Sequence, residues 1–144
     1  MKILVINGPN INMLGIRETN IYGLENYSAL CERIKAKGEE LGIDIELYQS
    51  NTEGDIVTKI QEAFEKVDGI IINPGAYTHY SIAILDALKS ITLPTIEVHI
   101  SNIQRREDFR KDSITAQACI GQISGLGILG YELAIEALKK HIKG

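Results

Sequence analysis

The run Gly69-Ile70-Ile71-Ile72-Asn73, stopped by Pro74-Gly75, constrains the fold of this chain more than any other stretch. Successive side chains of a strand point to opposite faces, so three β-branched residues in a row make a strand that is apolar on both sides. Such a strand has to be covered twice. A parallel sheet with helices on both faces provides that cover, whereas an antiparallel sheet with one wet face does not. Proline and glycine then end the run and open a loop at its carboxyl end.

The remaining segments supply the partners such a strand needs. Lys2 to Asn7 reads as a buried strand ending at Gly8-Pro9, Ile43 to Tyr48 as a second, Thr95 to Ile100 as a fourth and Ala118 to Ile123 as a fifth. Between them, Leu24, Tyr27, Leu30, Cys31, Ile34 and Leu41 recur at helical spacing up to Gly42. Ile56, Ile60, Ala63, Phe64 and Val67 mark a second helix, with Thr52 or a neighbour as cap and Glu53 and Asp55 near its positive end. Tyr80 to Ser90 and Leu126 to Ile142 predict two more, and Gln104 to Lys111 a short helix or lid edge. Five strands alternating with helices predict a flavodoxin-like three-layer α/β sandwich, a five-stranded parallel sheet of order 2-1-3-4-5 with helices on both faces. No repeat or linker interrupts it, so residues 1–144 are expected to form a single domain.

Composition narrows the functional classes. A net charge of -4 without a long basic run argues against nucleic acid as a partner. No segment reaches the ~18 consecutive apolar residues of a membrane span. Met1 to Ile6 runs straight into a strand with no signal-peptide pattern, which makes the cytoplasm the expected compartment. Cys31 and Cys119 have no metal-ligand spacing and lie among apolar residues, so they are read as buried thiols.

In a doubly wound sheet the ligand sits outside the carboxyl ends of the strands, so the loops there carry the functional signal. They hold Asn7-Gly8-Pro9-Asn10 and onward through Arg17 to Tyr22-Gly23, then Gln49-Ser50-Asn51, then Asn73 to His79, then His99 to Asn102 with Arg105, Arg106 and Arg110 beyond. Amides, imidazoles and guanidinium groups in one place suit a small polyhydroxylated anion. Glu97 and His99 are two apart on a strand, hence on one face, where the carboxylate can orient the imidazole. Standing alone, the pair would be a buried structural contact; the matched polar groups on the neighbouring loops favour a site. A zinc site from His79, Glu97 and His99 is the weaker alternative, because no HExxH-like helical pairing is present. For Arg105, Arg106 and Arg110 an ordinary charged helix face is the alternative to a binding role, and Tyr77, Tyr80 and Tyr131 read as packing residues.

Other uses of the fold fit poorly. Gly8-Pro9-Asn10 is not the hydroxyl-rich phosphate loop of a flavodoxin, and its proline removes a backbone donor. The strand ends Asn7 and Asn73 are not the acidic cluster of a receiver domain, and no GxGxxG is present. A non-catalytic module for sugar acids stays open on the residues alone.

Taken together, Ile6 to Asn10, Arg17, Tyr22-Gly23, Asn73 to His79, Glu97 to Asn102, Gly125-Leu126-Gly127 and Gly130-Tyr131 resemble type II 3-dehydroquinate dehydratase over nearly the whole chain. The resemblance implies a lyase of the shikimate or quinate pathways that removes water from 3-dehydroquinate by anti elimination through an enolate. No cofactor or metal is implied. It further implies a homo-oligomer, commonly a dodecamer of trimers. Matched positions would make Tyr22 the base, with Arg17 stabilising its phenolate, Asn10 a holder of the water at the enolate oxygen, and His99 the acid, oriented by Glu97. Asn73, Ser101 and the backbone of Ile100 and Ser101 would hold the substrate carboxylate. His79 and Arg110 would contact ring hydroxyls, and Asp86 would reach the neighbouring subunit's site. The alternative imine chemistry needs a desolvated lysine, and the strand-end loops carry only Lys111 at their margin. The chain departs from the family pattern at Leu85, Gln104 and Asp112, none of them assigned to the chemistry.

Overall fold

A computed structural model describes residues 1–144. The elements run β1 (Lys2–Asn7), α1 (Thr19–Tyr22), α2 (Tyr27–Leu41), β2 (Asp44–Gln49), α3 (Glu53–Glu62), β3 (Gly69–Asn73), α4 (Ile82–Ile91), β4 (Thr95–His99), β5 (Gly121–Ser124) and α5 (Leu129–Lys143), with short 3-10 turns between them. All sheet pairings are parallel and the order is β2-β1-β3-β4-β5, as the alternation of strands and helices predicts.

The isoleucine run behaves as its chemistry requires. Ile71 joins Ile3, Val5, Ile96 and Val98 on one face, beneath Leu30 and Ile34 of α2 and Tyr131, Ile135 and Leu138 of α5. Ile70 and Ile72 join Leu4 and Ile6 on the other, beneath Ile56 and Ile60 of α3 and Ile84 and Leu88 of α4. Each fully buried aliphatic side chain contributes roughly 1.5–3 kcal/mol relative to exposure. Glu97 is in register with Ile72, so an ionisable side chain occupies a position in the α3–α4 face where β1 and β3 carry Ile6 and Ile72.

Local chemistry sets most boundaries. Asn26 caps α2 by accepting from Ala29 N at 2.9 Å, and Gly42 closes it in the left-handed region. Ser81 caps α4 by accepting from Ile84 N at 3.0 Å and also donates to Glu53 Oε2 at 2.6 Å, tying the starts of α3 and α4 together. Thr52 stands at the N-cap of α3 but makes no side-chain cap bond; Ser50 Oγ accepts from Thr52 N instead.

The structure corrects several boundaries. The helix marked by Ile56 to Val67 ends at Glu62, because Glu65 turns into the left-handed region and leaves Phe64 half exposed. The last strand is not Ala118 to Ile123: Thr115–Ala118 coils into a 3-10 turn and β5 begins only at Gly121. The last helix starts at Leu129 rather than Leu126, since Gly125 and Gly127 donate back to His99 O and Ile100 O. Gly125 takes φ 87°, and a Cβ there would lie 2.9 Å from that of Asn102. The segment from Gln104 to Lys111 carries two 3-10 turns, Ile103–Arg105 and Asp108–Arg110, in place of a helix. Cys31 and Cys119 are partly rather than fully buried.

The chain leaves β1 toward β2 and returns to β3 on the other side, so the loops after β1 and β3 open a crevice. They come close at its floor: a Cβ on Gly8 would lie 2.6 Å from Pro74 O.

Candidate active site

One cleft lies over the carboxyl ends of the sheet. From the loop after β1 come Asn10, Ile11, Arg17 and Tyr22; from the β3 end come Asn73, Gly75 and His79; from the β4 end come His99, Ser101, Ile103, Arg106 and Arg110.

One wall is built around the tyrosine. α1 is a single helical turn, flanked by Glu18 at φ 39° and Gly23 at φ 88°, and it places Tyr22 over the cleft. Arg106 Nη1 donates to Tyr22 Oη at 2.6 Å and to Ser101 Oγ at 3.3 Å. The Arg17 guanidinium lies over the Tyr22 ring, 4.3 Å from its centroid, and Arg17 Nη1 pairs with Glu18 at 3.3 Å. Two guanidinium groups thus approach one phenol, one at its hydroxyl and one over its ring. The Nε atoms of both arginines are buried without a partner.

The same cleft is lined by the histidine of the sequence motif. His99 is 5% exposed and donates Nε2–H to Glu97 Oε2 at 2.9 Å, leaving Nδ1 without a protein partner. Burial drives the Glu97 carboxyl upward, yet hydrogen bonds and the charge of His99 outweigh it, and the carboxyl sits below its ordinary range.

The other groups complete the walls. His79 Nδ1 donates to Asp112 O at 2.8 Å, which leaves Nε2 free, and Phe109 stands edge-on to its ring. Burial, followed by the charge of Arg110, lowers the pKa of His79 and favours the neutral imidazole. Asn73 is fixed by two bonds, Nδ2–H to Tyr131 Oη at 2.8 Å and Oδ1 from Gly75 N at 3.1 Å. Tyr131 in turn donates to Asn7 Oδ1 at 2.7 Å. The backbone N–H groups of Ile100 and Ser101 have no backbone acceptor. Asn10 adopts φ 70° and donates its N–H to Asn51 Oδ1 at 3.0 Å.

Among the residues singled out from sequence, the cleft gathers Asn10, Arg17, Tyr22, Asn73, His79, His99, Ser101 and Arg110. Glu97 is fully buried behind His99, and Ile100 is buried beside the cleft without lining it. Asp86 lies on the exposed face of α4, outside this cleft. His79, Glu97 and His99 do not gather as a metal-ligand group. Arg106 is a correction: it points at Tyr22 instead of forming a solvated helix face with Arg105. Tyr131 packs as expected, but its hydroxyl also bridges two strand-end asparagines. Leu85 is buried against the core, Gln104 Nε2 donates to Lys111 O, and the Asp112 carbonyl holds His79.

Fold and cleft together define an α/β protein of flavodoxin-like architecture with a polar, arginine-rich site at the carboxyl ends of its strands. The family model described as "Dehydroquinase class II" matches residues 1–139. The chain is 62% identical over 144 residues to the 3-dehydroquinate dehydratase of Clostridium perfringens (strain SM101 / Type A), covering 99% of each. It is 64% identical over 139 residues to that of Clostridium acetobutylicum, covering 96% of each. The crystal structure of type II dehydroquinase from Butyrivibrio crossotus superposes with a TM-score of 0.95 at 58% identity, over 96% of this chain and 97% of that one. The chain belongs to the class II dehydroquinases, a family of carbon–oxygen lyases.

Proposed function

We propose that residues 1–144 form one catalytic unit that dehydrates 3-dehydroquinate to 3-dehydroshikimate, a step of aromatic biosynthesis, by anti elimination through an enolate. The observation that carries the mechanism is the pairing of a doubly cation-contacted phenol, Tyr22, with a carboxylate-backed imidazole, His99, in one cleft.

The Tyr22 phenolate takes a proton from C2, beside the ketone, and the C–H electrons move into an enolate. Asn10 holds a water at the enolate oxygen, supplying a hydrogen bond where negative charge develops. The enolate re-forms the ketone as the C1–O bond breaks, and protonated His99 gives its proton to the departing hydroxyl, which leaves as water. The proton count balances: one moves to Tyr22 and one leaves with the hydroxyl. Asn73, Ser101 and the free N–H groups of Ile100 and Ser101 would receive the substrate carboxylate; His79 and Arg110 would contact ring hydroxyls. No cofactor or metal is required. The active assembly is a homo-oligomer built from trimers, in which Asp86 serves a neighbouring site.

Formation of the conjugated enone, followed in the ultraviolet, tests the reading. Tyr22→Phe and His99→Asn are each expected to lower kcat by roughly 10²–10⁴-fold, the range of a lost acid or base. Binding of 3-dehydroquinate with no absorbance change would leave only a sugar-acid-binding module. A lysine adduct trapped by borohydride would overturn the enolate route in favour of an imine.

A further inference from the structure

Glu97 receives more hydrogen bonds than the orientation of one histidine requires. Besides His99 Nε2, its carboxylate accepts from Ser113 Oγ at 2.7 Å, from Gln122 Nε2 at 2.7 Å and from Thr115 Oγ1. These donors come from separate parts of the chain: the loop after the Asp108–Arg110 turn, the Thr115–Ala118 turn, and β5. Thr78, fully buried after β3, lies 2.6 Å from Ser113 Oγ and 2.7 Å from Thr115 Oγ1, and it can donate to only one of them at a time. Ile114 N donates to Thr78 O at 2.9 Å, so the whole group is tied to the turn that carries His79.

An amide N–H can only donate, and three donors converge on Glu97 Oε2 (His99, Ser113 and Gln122) while Thr115 serves Oε1. So enclosed, Glu97 receives an N–H from His99. Nε2 then stays protonated throughout, and Nδ1 is the nitrogen that gains and loses a proton.

We propose that Thr115, Ser113 and Gln122 are positioning residues for proton transfer at His99: they hold Glu97 as a fixed acceptor, and Glu97 fixes the tautomer and the ring plane. This rests on the reading of His99 as the acid.

The titratable groups around the carboxylate are His99 on β4, His79 on the turn after β3, with Arg110 beside it, and Cys119 ahead of β5. Burial pushes the Cys119 thiol up to about 12, so it stays neutral and adds no charge near neutral pH. Burial of Glu97 favours its neutral form and the donors oppose that. Removing a donor therefore lets Glu97 take a proton at higher pH, and a neutral Glu97 no longer holds His99 by charge. The acidic limb of the kcat profile should move to higher pH.

Thr115→Val keeps the shape of the side chain and removes its donor; Thr115→Ser keeps the donor. The valine variant is expected to lower kcat about 10-fold while KM stays within about twofold, and to move the acidic limb upward, with serine restoring both. Gln122→Met, at an exposed strand edge, should do the same and covers the case in which valine is not accommodated in the core. Wild-type kcat and an unmoved pH profile in folded Thr115→Val and Gln122→Met would overturn the proposal. His99→Asn run alongside separates the two readings. If it is inactive while those variants behave as wild type, only the positioning role fails; if it is active, the acid assignment fails.

Discussion

Arg105 and Arg106 are adjacent in sequence, yet only one of them meets the phenol. Arg105 is exposed, whereas Arg106 is part-buried and reaches both Tyr22 and Ser101. A hydrogen bond to a charged group contributes about 1.5–3 kcal/mol, so Arg106→Ala should lower kcat roughly 10–100-fold in the enone assay. Arg106→Lys should recover only part of the loss, since an ammonium lacks the guanidinium fork that serves two oxygens. Arg105→Ala should stay near wild type, and equal losses at both positions would refute the distinction. The Glu97–His99 pair is legible in the amino-acid sequence because strand periodicity is 2 and puts both side chains on one face. The role of Arg106 is not, because two separate 3-10 turns, rather than one helix, decide where each arginine of that segment points. Thr115 and Gln122 are hidden for a related reason: the chain coils before β5, and pairing Glu97 with Gln122 depends on where that strand begins.

At the scale of the element, apolar periodicity locates all five strands and most of the helices, and it fails where one residue's backbone conformation overrides it. The spacing of Phe64 and Val67 continues the helix, but Glu65 at φ 61° ends it and turns Phe64 toward solvent, 52% exposed. Ile71 is the contrasting case, with no exposure, on the central strand between two covered faces. Ile71→Ala should cost about 2–5 kcal/mol in the transfer and cavity contributions, read as a lower urea midpoint with an unchanged slope. Phe64→Ala should fall within about 0.5 kcal/mol of wild type, as surface changes usually do. A large loss at Phe64 in dilute, unassociated protein would mean that the helix runs on to Val67 after all. The reverse lesson holds at Gly125 to Ile128, where apolar residues suggest helix but two backbone donors return to the β4 end and shape the cleft.

For the whole molecule, one group of exposed apolar side chains lies on the β3–α4 connection and the segment that packs against it. Tyr80 and Ile82 are 61% and 63% exposed at the start of α4, and Phe109, 65% exposed, stands edge-on to His79. Asp86 is one helical turn beyond Ile82 on that same exposed face. A second copy laid over this face would cover the apolar side chains and bring a carboxylate toward a neighbouring site, which is the arrangement the trimer-based proposal needs. Ile82→Lys should then lower the mass measured by light scattering and lower turnover with it. Asp86→Asn should keep the mass and still lose turnover, about 10-fold or more for a lost charged hydrogen bond. Complementation makes the test decisive. Tyr22→Phe and Asp86→Asn chains are each impaired alone, but refolded together they should regain part of wild-type turnover, because some sites combine an intact Tyr22 with a neighbour's intact Asp86. A monomeric wild-type protein with full activity, or a mixed assembly no more active than its parents, would confine the whole site to one chain.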